Sequence, residues 1–135
     1  MKKFELTSEF VTFLGKKLFR IKALISFGNV EEGELGGYVE KEENLSNDGN
    51  AWVSGDARVS GDADYATVQG FGSEYRTTTF FRTKAGDIGV RCGCFYGTLD
   101  GFRKKVKETH GDSKTAKEYL MVADLMEFRF SEEEV

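Results

Sequence analysis

A six-residue repeat in the middle of the chain constrains its fold more than any other feature. VSGDAR at residues 53–58 is followed at once by VSGDAD at residues 59–64. On this period, three residue types recur in columns of their own. The columns are Val53, Val59 and Tyr65; Ala51, Ala57 and Ala63; and Gly49, Gly55 and Gly61. Because a strand repeats every two residues and a helix about every 3.6, period six predicts a solenoid, in which each phrase is a short strand plus a bend.

The repeat is similar to the hexapeptide pattern of left-handed β-helices, in which three phrases make one triangular coil. Residues 35–65 supply fewer than two such coils. A solenoid this short has little core and open edges, so it needs flanking strands or a second copy of the chain as caps.

The flanking sequence predicts strands before the repeat and a mixed module after it. Alternation over residues 3–14 and 18–25 predicts two strands joined by a turn at 15–17. Residues 66–95 predict strands with a hairpin turn at 84–87, and a helix follows from a cap at Thr98 to Gly111. A second helix is expected from Asp112 or Ser113, and residues 127–130 are expected to form a closing strand. The predicted buried stripe of that second helix is Ala116, Tyr119, Leu120, Ala123 and Met126.

The predicted fold class is therefore mainly β with a C-terminal α+β module. Residues 1–34 form N-terminal strands and a cap, and residues 35–65 form a short left-handed β-helix-like solenoid. A β-hairpin and two helices form the module over residues 66–130, and residues 131–135 are an acidic tail.

Acidic residues are concentrated around the repeat. Residues 31–64 carry ten acids against Lys41 and Arg58, a local charge of −8, in a chain whose net charge is −4. This balance disfavours nucleic acid and favours a basic protein partner, although bend chemistry and solubility explain the same residues. An exposed Trp52 or Tyr38 could anchor that partner, or Trp52 could be a lid on the coil. The predicted partner-binding residues are Glu40, Glu42, Glu43, Asp48, Trp52, Asp56, Asp62 and Asp64.

Candidate chemistry elsewhere is sparse. The one histidine, His110, lies outside the repeat, where a cation near a helix C-terminus is favoured over a general base. Cys92, Cys94 and His110 make an incomplete zinc set, because zinc usually takes four ligands. The turn before Thr98 could bind an anion, but Asp100 opposes it and an ordinary helix cap is favoured. We therefore predict no catalytic residue, metal or cofactor.

Targeting signals are also lacking in this sequence. No apolar run approaches 18 residues and no signal peptide opens the chain, so a cytoplasmic protein with free thiols is expected.

Long stretches of the chain resemble one family of short proteins that phages and prophages encode. KKFELT, LFRIKAL and FGNVEEGELGGYVEKEENLS within residues 2–46 carry the resemblance, followed by GDARV-like hexapeptides. Residues 93–125, GCFYGTLDGFRKKVKETHGDSKTAKEYLMVADL, match the C-terminal module of many members. The family has no established shared activity.

The resemblance implies a non-enzymatic protein in the cytoplasm of an infected bacterial host. We predict that it inhibits a host defence system such as CRISPR–Cas by binding a nuclease or another defence protein through its acidic surface. The alternatives are a self-assembling scaffold, including a homodimer, and a small-ligand-binding or acyltransferase-like protein.

Overall fold

The fold begins with a β-hairpin whose loop has two residues. The computed structural model describes residues 2–46, 50–55, 57–60, 64–71, 76–84, 86–92 and 95–131. In it, β1 (Phe4–Phe13) pairs antiparallel with β2 (Lys16–Ala23). Leu14 and Gly15 connect them with φ values of 50° and 78°, as a tight hairpin turn requires. The two predicted N-terminal strands are confirmed, with the turn at residues 14–15.

Two further strands complete the first sheet. β3 (Leu35–Val39) pairs antiparallel with β2, and β4 (Arg58–Val59) pairs parallel with β3. The strand order is β1-β2-β3-β4. A short 3₁₀ turn over Glu42–Asn44 follows β3. Residues 35–39, predicted to begin the solenoid, therefore form a central strand of this sheet.

The predicted left-handed β-helix-like solenoid is wrong. Residues 51–54 form no strand, β4 joins the sheet of β1 to β3, and Tyr65 begins a separate sheet, so the described residues stack no coils. Four members of the valine and alanine columns are nevertheless buried, namely Ala51, Val53, Ala57 and Val59. Tyr65 is half-buried, and Ala63 lies outside the described residues. The six-residue period placed side chains in a core, but it could not specify which backbone each segment pairs with.

The second sheet is a four-stranded antiparallel meander. Its strands are β5 (Tyr65–Phe71), β6 (Arg76–Arg82), β7 (Ile88–Cys92) and β8 (Phe95–Thr98), paired in that order. The predicted hairpin turn joins β6 to β7, where the Thr83 and Asp87 backbones are hydrogen-bonded at 3.0 Å.

Two helices cover this second sheet. α1 (Leu99–His110) begins at Thr98, whose hydroxyl accepts a hydrogen bond from the Gly101 N–H, and ends at Gly111. α2 (Lys114–Phe130) begins at Ser113, whose hydroxyl accepts from the Ala116 N–H. The closing strand predicted at residues 127–130 is wrong, because these residues form the last turn of α2. Phe130 extends the buried stripe of that helix by one turn.

The two sheets are joined through neighbouring residues of β6. Phe81 is buried in the core of the first sheet, with Trp52, Val53 and Ile21. Phe80 is buried in the core between the second sheet and the helices. Because successive side chains of a strand point to opposite faces, β6 contributes to both cores at once.

Candidate functional site

The predicted acidic surface is only partly within the described residues. Asp48, Asp56 and Asp62 lie outside them. Glu40, Glu42 and Glu43 follow β3 on one short turn, and Glu43 is exposed. The Lys41 N–H donates to Asn44 Oδ1 at 2.8 Å, which fixes that turn.

Three of the described acids have partners within the chain. Glu42 lies 2.5 Å from Lys2 Nζ, and Glu40 lies 3.9 Å from Lys16 Nζ. Asp64 is more deeply engaged. It lies 3.3 Å from Arg82 Nε and accepts hydrogen bonds from the backbone and hydroxyl of Ser60 at 2.9 and 3.1 Å. Asp64 therefore holds Ser60 and Arg82 together, which is a structural role.

Trp52 is in the core and offers no anchor to a partner. It is 1% exposed and makes edge contacts with Phe4 and Phe27, with ring centroids 6.5 and 5.5 Å away. A Cβ at Gly36 would lie 2.7 Å from Trp52 Cζ2, so only glycine fits beneath this ring. Neither role weighed for Trp52 is observed, because its ring lies in the core and the described residues form no coil for it to cover.

Tyr38 is also buried, and it is surrounded by charged groups. The Arg20 and Arg58 guanidinium carbons lie 5.0 and 4.6 Å from its ring centroid. Its hydroxyl donates to Glu9 Oε2 at 3.0 Å, and Arg20 lies 3.5 Å from the same oxygen. Burial, followed by the Glu9 hydrogen bond, raises the pKa of Tyr38. Four different strands supply these residues, so no local sequence signal marks the cluster.

The C-terminal module contains an open pocket of about 500 Å³. We call it the aromatic pocket, and it lies among the end of β7, β8, α1 and one side of α2. Its aromatic wall is Phe95, Tyr96, Phe102 and Tyr119. The Phe102 ring centroid lies 6.0 Å from that of Phe95 and 5.6 Å from that of Tyr119, the latter at an edge-to-face angle of 89°. Such contacts fix the rings and preform the wall.

Polar and ionisable groups lie at the edges of the aromatic pocket. Lys105 and Thr109 are exposed, and His110 is half-buried with its ring 6.0 Å from that of Tyr119. Cys92 is buried, and its sulfur accepts a hydrogen bond from the Thr78 hydroxyl at 3.1 Å. The pocket thus combines an apolar wall with a basic residue at its mouth.

The pocket brings two members of the predicted metal set together. Cys92 and His110 both line it, whereas Cys94 lies outside the described residues. Among the residues that the structure places, no three His, Cys, Asp or Glu side chains form a group suited to a metal ion.

The helix start at Thr98 has the ordinary geometry of a cap. The Thr98 hydroxyl accepts the Gly101 N–H at 3.1 Å, which occupies a donor that an anion would need. Helix α1 also carries four basic residues before its last turn ends, Arg103, Lys104, Lys105 and Lys107. Arg103 is bound to Glu127 at 2.7 Å and to Asp124 at 3.0 Å, and these bonds, the Glu127 one foremost, raise its pKa.

Comparison with known proteins adds no relative. No family model, curated protein or solved structure matches the chain. In the part of the chain that the structure describes, no helix is both long enough and apolar enough to cross a membrane.

Proposed function

We propose that this protein binds a small, flat, apolar ligand with an anionic group in the aromatic pocket, without transforming it. The observation that carries the proposal is the pocket itself. Its volume of about 500 Å³ lies within the range of small-molecule sites, roughly 300–1,000 Å³. Such sites combine apolar and aromatic walls with a few polar groups that orient the ligand, as this pocket does.

The wall determines the body of the ligand. Phe102 and Tyr119 are held by an edge-to-face contact with one another. The Phe102 ring makes a second edge-to-face contact with Phe80, with the ring centroids 5.9 Å apart. Rings that are already fixed lose little conformational freedom on binding, and their faces and edges favour a flat, unsaturated ligand.

The mouth determines the charge of the ligand. Lys105 is exposed on α1 beside the apolar wall, and its ammonium group can approach an anionic group that projects from the pocket. A cationic ligand would be repelled by the same group. The ligand class is therefore an aromatic or polyene carboxylate, sulfonate or phosphate.

Three naphthalene compounds test both parts of this proposal. We expect 1-naphthoate to bind, neutral 1-naphthamide to bind more weakly, and 1-naphthylmethylammonium to bind least. Amide chemical shifts in two-dimensional NMR spectra should change at Tyr96, Val106 and Tyr119. Failure of all three compounds to perturb these amides at millimolar concentration would refute the proposal.

A pair of lysine variants provides the matched control. Lys105→Glu should weaken naphthoate binding about fivefold or more, because it replaces attraction at an exposed site with repulsion. Lys104→Glu makes the same change of net charge on the neighbouring residue, which does not line the pocket. Equal losses in both variants would show only a non-specific charge effect.

As a second candidate function, we propose that this is a phage protein that inhibits a host defence complex. Glu42 and Glu43 favour it, because they lie side by side on a turn held by the bond between Lys41 and Asn44. The Glu42–Lys2 pair is exposed, so a basic partner can compete for it at little cost. A purified host defence complex should bind the wild-type protein and the Glu31→Lys/Glu32→Lys control, but not Glu42→Lys/Glu43→Lys. Equal binding by the two double variants would exclude this turn as the binding site for the defence complex.

A further inference from the structure

Helix α2 carries apolar side chains on two different faces. The inner face, which includes Ala116, Ala123 and Met126, is buried against the second sheet and α1. On the outer side, Met121, Leu125 and Phe128 are 70%, 56% and 67% exposed. We call these three residues the outer stripe.

The outer stripe is a continuous surface. Its members are spaced by four and then three residues, so their side chains lie one above another along the helix. Together they expose on the order of 350 Å², which is comparable with the largest apolar patch of a typical monomer, about 300–600 Å². Apolar residues with this spacing form the seam through which one helix packs against another.

We propose that the outer stripe binds the outer stripe of a second copy of this chain, with the two α2 helices antiparallel about a twofold axis. A twofold contact uses the same patch on both copies, so a single stripe per chain is sufficient. The stripe lies on the opposite side of α2 from Tyr119, which lines the aromatic pocket, so the inference does not depend on the proposed ligand.

One pair of charges beside the stripe fits this antiparallel arrangement. Glu118 and Arg129 are eleven residues apart, which is about three helical turns, so both lie on the same flank of the stripe. In an antiparallel twofold pair equivalent flanks face each other in reverse, so Glu118 of one copy lies near Arg129 of the other when the two stripes are centred on each other. Asp124 and Glu127, on the other flank, are ion-paired with Arg103 of their own copy.

The size of the stripe sets the strength of the contact. An apolar area of about 350 Å² per copy is below the roughly 800 Å² per partner of a stable complex. We therefore expect a weak dimer, with a dissociation constant on the order of 10 µM, rather than an obligate one.

Sedimentation equilibrium over about 1 µM to 1 mM protein tests the inference. Wild-type protein should move from monomer to dimer across this range, and Leu125→Lys should remain monomeric. Leu14→Lys is the matched control, because Leu14 is an 85% exposed leucine in the hairpin between β1 and β2. It should dimerise like the wild type.

Arg129→Glu tests the charge contact between the two helices. It should raise the dissociation constant several-fold, because it places an acidic residue opposite Glu118 of the other copy, whereas Lys107→Glu on α1 makes the same change of net charge and should not alter the dissociation constant. Helical circular dichroism at 222 nm must match the wild type in every variant, and Phe128→Lys replaces Leu125→Lys if the latter does not fold. A wild-type protein that stays monomeric at 1 mM, or a Leu125→Lys variant that still dimerises, would overturn the inference.

Discussion

Cations packed on aromatic rings recur at individual residues of this protein. Lys3 is 1% exposed, lies 4.7 Å from the Phe27 ring centroid and donates to the Ala51 carbonyl at 2.7 Å. Arg58, also buried, lies beside Tyr38, and Arg82 lies 5.2 Å from the ring of Phe130. A chain with 12 phenylalanines among its 135 residues offers many ring faces. The quadrupole of an aromatic ring stabilises a desolvated cation that lies over its face.

The titration of Tyr38 reports on one of these clusters. Burial and the Glu9 hydrogen bond raise its pKa above the ordinary value of 10.0, against the opposing effect of Arg20 and Arg58. A pKa that is higher in the folded state means that the folded protein holds this proton more tightly than the unfolded chain. The stabilising contribution is complete below pH 10 and is lost as pH rises through the folded-state pKa.

Phenolate absorbance at 295 nm measures this directly. The difference between the titrations of wild-type protein and Tyr38→Phe should show a midpoint above pH 10. The free energy of unfolding should fall less steeply above pH 10 in Tyr38→Phe than in the wild type. A difference midpoint at or below pH 10 would contradict the assigned environment.

At the scale of elements, local signals predicted the helices and most strands. Thr98, Gly111 and Ser113 marked helix boundaries because capping depends on residues within one turn. The closing strand failed at residues 127–130 because a short apolar segment is ambiguous between strand and helix. Here Phe130 adds to the buried face of α2, and tertiary contact decided the outcome.

The prediction of a solenoid was wrong for a different reason. Val53 and Val59 are both fully buried, as the six-residue period required. However, the Val53 carbonyl accepts from the Gly37 N–H and the Val59 carbonyl accepts from the Glu40 N–H, so both segments pair with the region of β3. Side-chain periodicity specifies which residues face a core, whereas strand partners depend on contacts between distant segments.

The two caps predict the effect of removing a side-chain hydroxyl at a helix start. Thr98→Ala and Ser113→Ala should each lower the free energy of unfolding by about 1 kcal/mol, because one N–H of the first turn loses its acceptor. Thr109→Ala is the control for α1. Its threonine is exposed within the helix, and alanine there should be neutral or stabilise by up to about 0.7 kcal/mol. Urea denaturation measures all three, and equal losses at Thr98 and Thr109 would exclude a capping role.

At the scale of the whole molecule, hydrogen bonds join the second sheet to segments packed on the first. Arg91 of β7 donates to Glu34 at 2.8 Å, to Ser54 at 3.2 Å and to the Asn29 carbonyl at 3.2 Å. The backbone N–H of Trp52 donates to the Thr79 hydroxyl of β6 at 3.2 Å. The sequence could not predict these contacts, nor the aromatic pocket, because each joins residues brought together only by the complete fold. The buried face of α2, by contrast, was predicted correctly at Ala116, Tyr119, Ala123 and Met126, because helical spacing alone defines it, whereas Leu120 is only half-buried.

These contacts predict that the two sheets unfold together. Trp52 is the only tryptophan and lies in the core of the first sheet, so its fluorescence reports on that core. Circular dichroism at 222 nm reports on α1 and α2, which lie on the second sheet. Because Phe81 of the second sheet is fully buried in the first core, neither core can be exposed without disturbing the other. Urea denaturation followed by both signals should therefore give one coincident transition.

Arg91→Ala tests how far this coupling depends on one side chain. It removes charge-assisted bonds between the sheets and should lower the free energy of unfolding by about 1–3 kcal/mol. The transition should shift to lower urea concentration by both signals equally, since Phe81 still joins the cores. Lys84→Ala, an exposed residue in the turn between β6 and β7, should leave the midpoint unchanged within about 0.5 kcal/mol. Two separate transitions in the wild type would show that the sheets are independent folding units, and separation only in Arg91→Ala would make Arg91, rather than Phe81, the dominant connection.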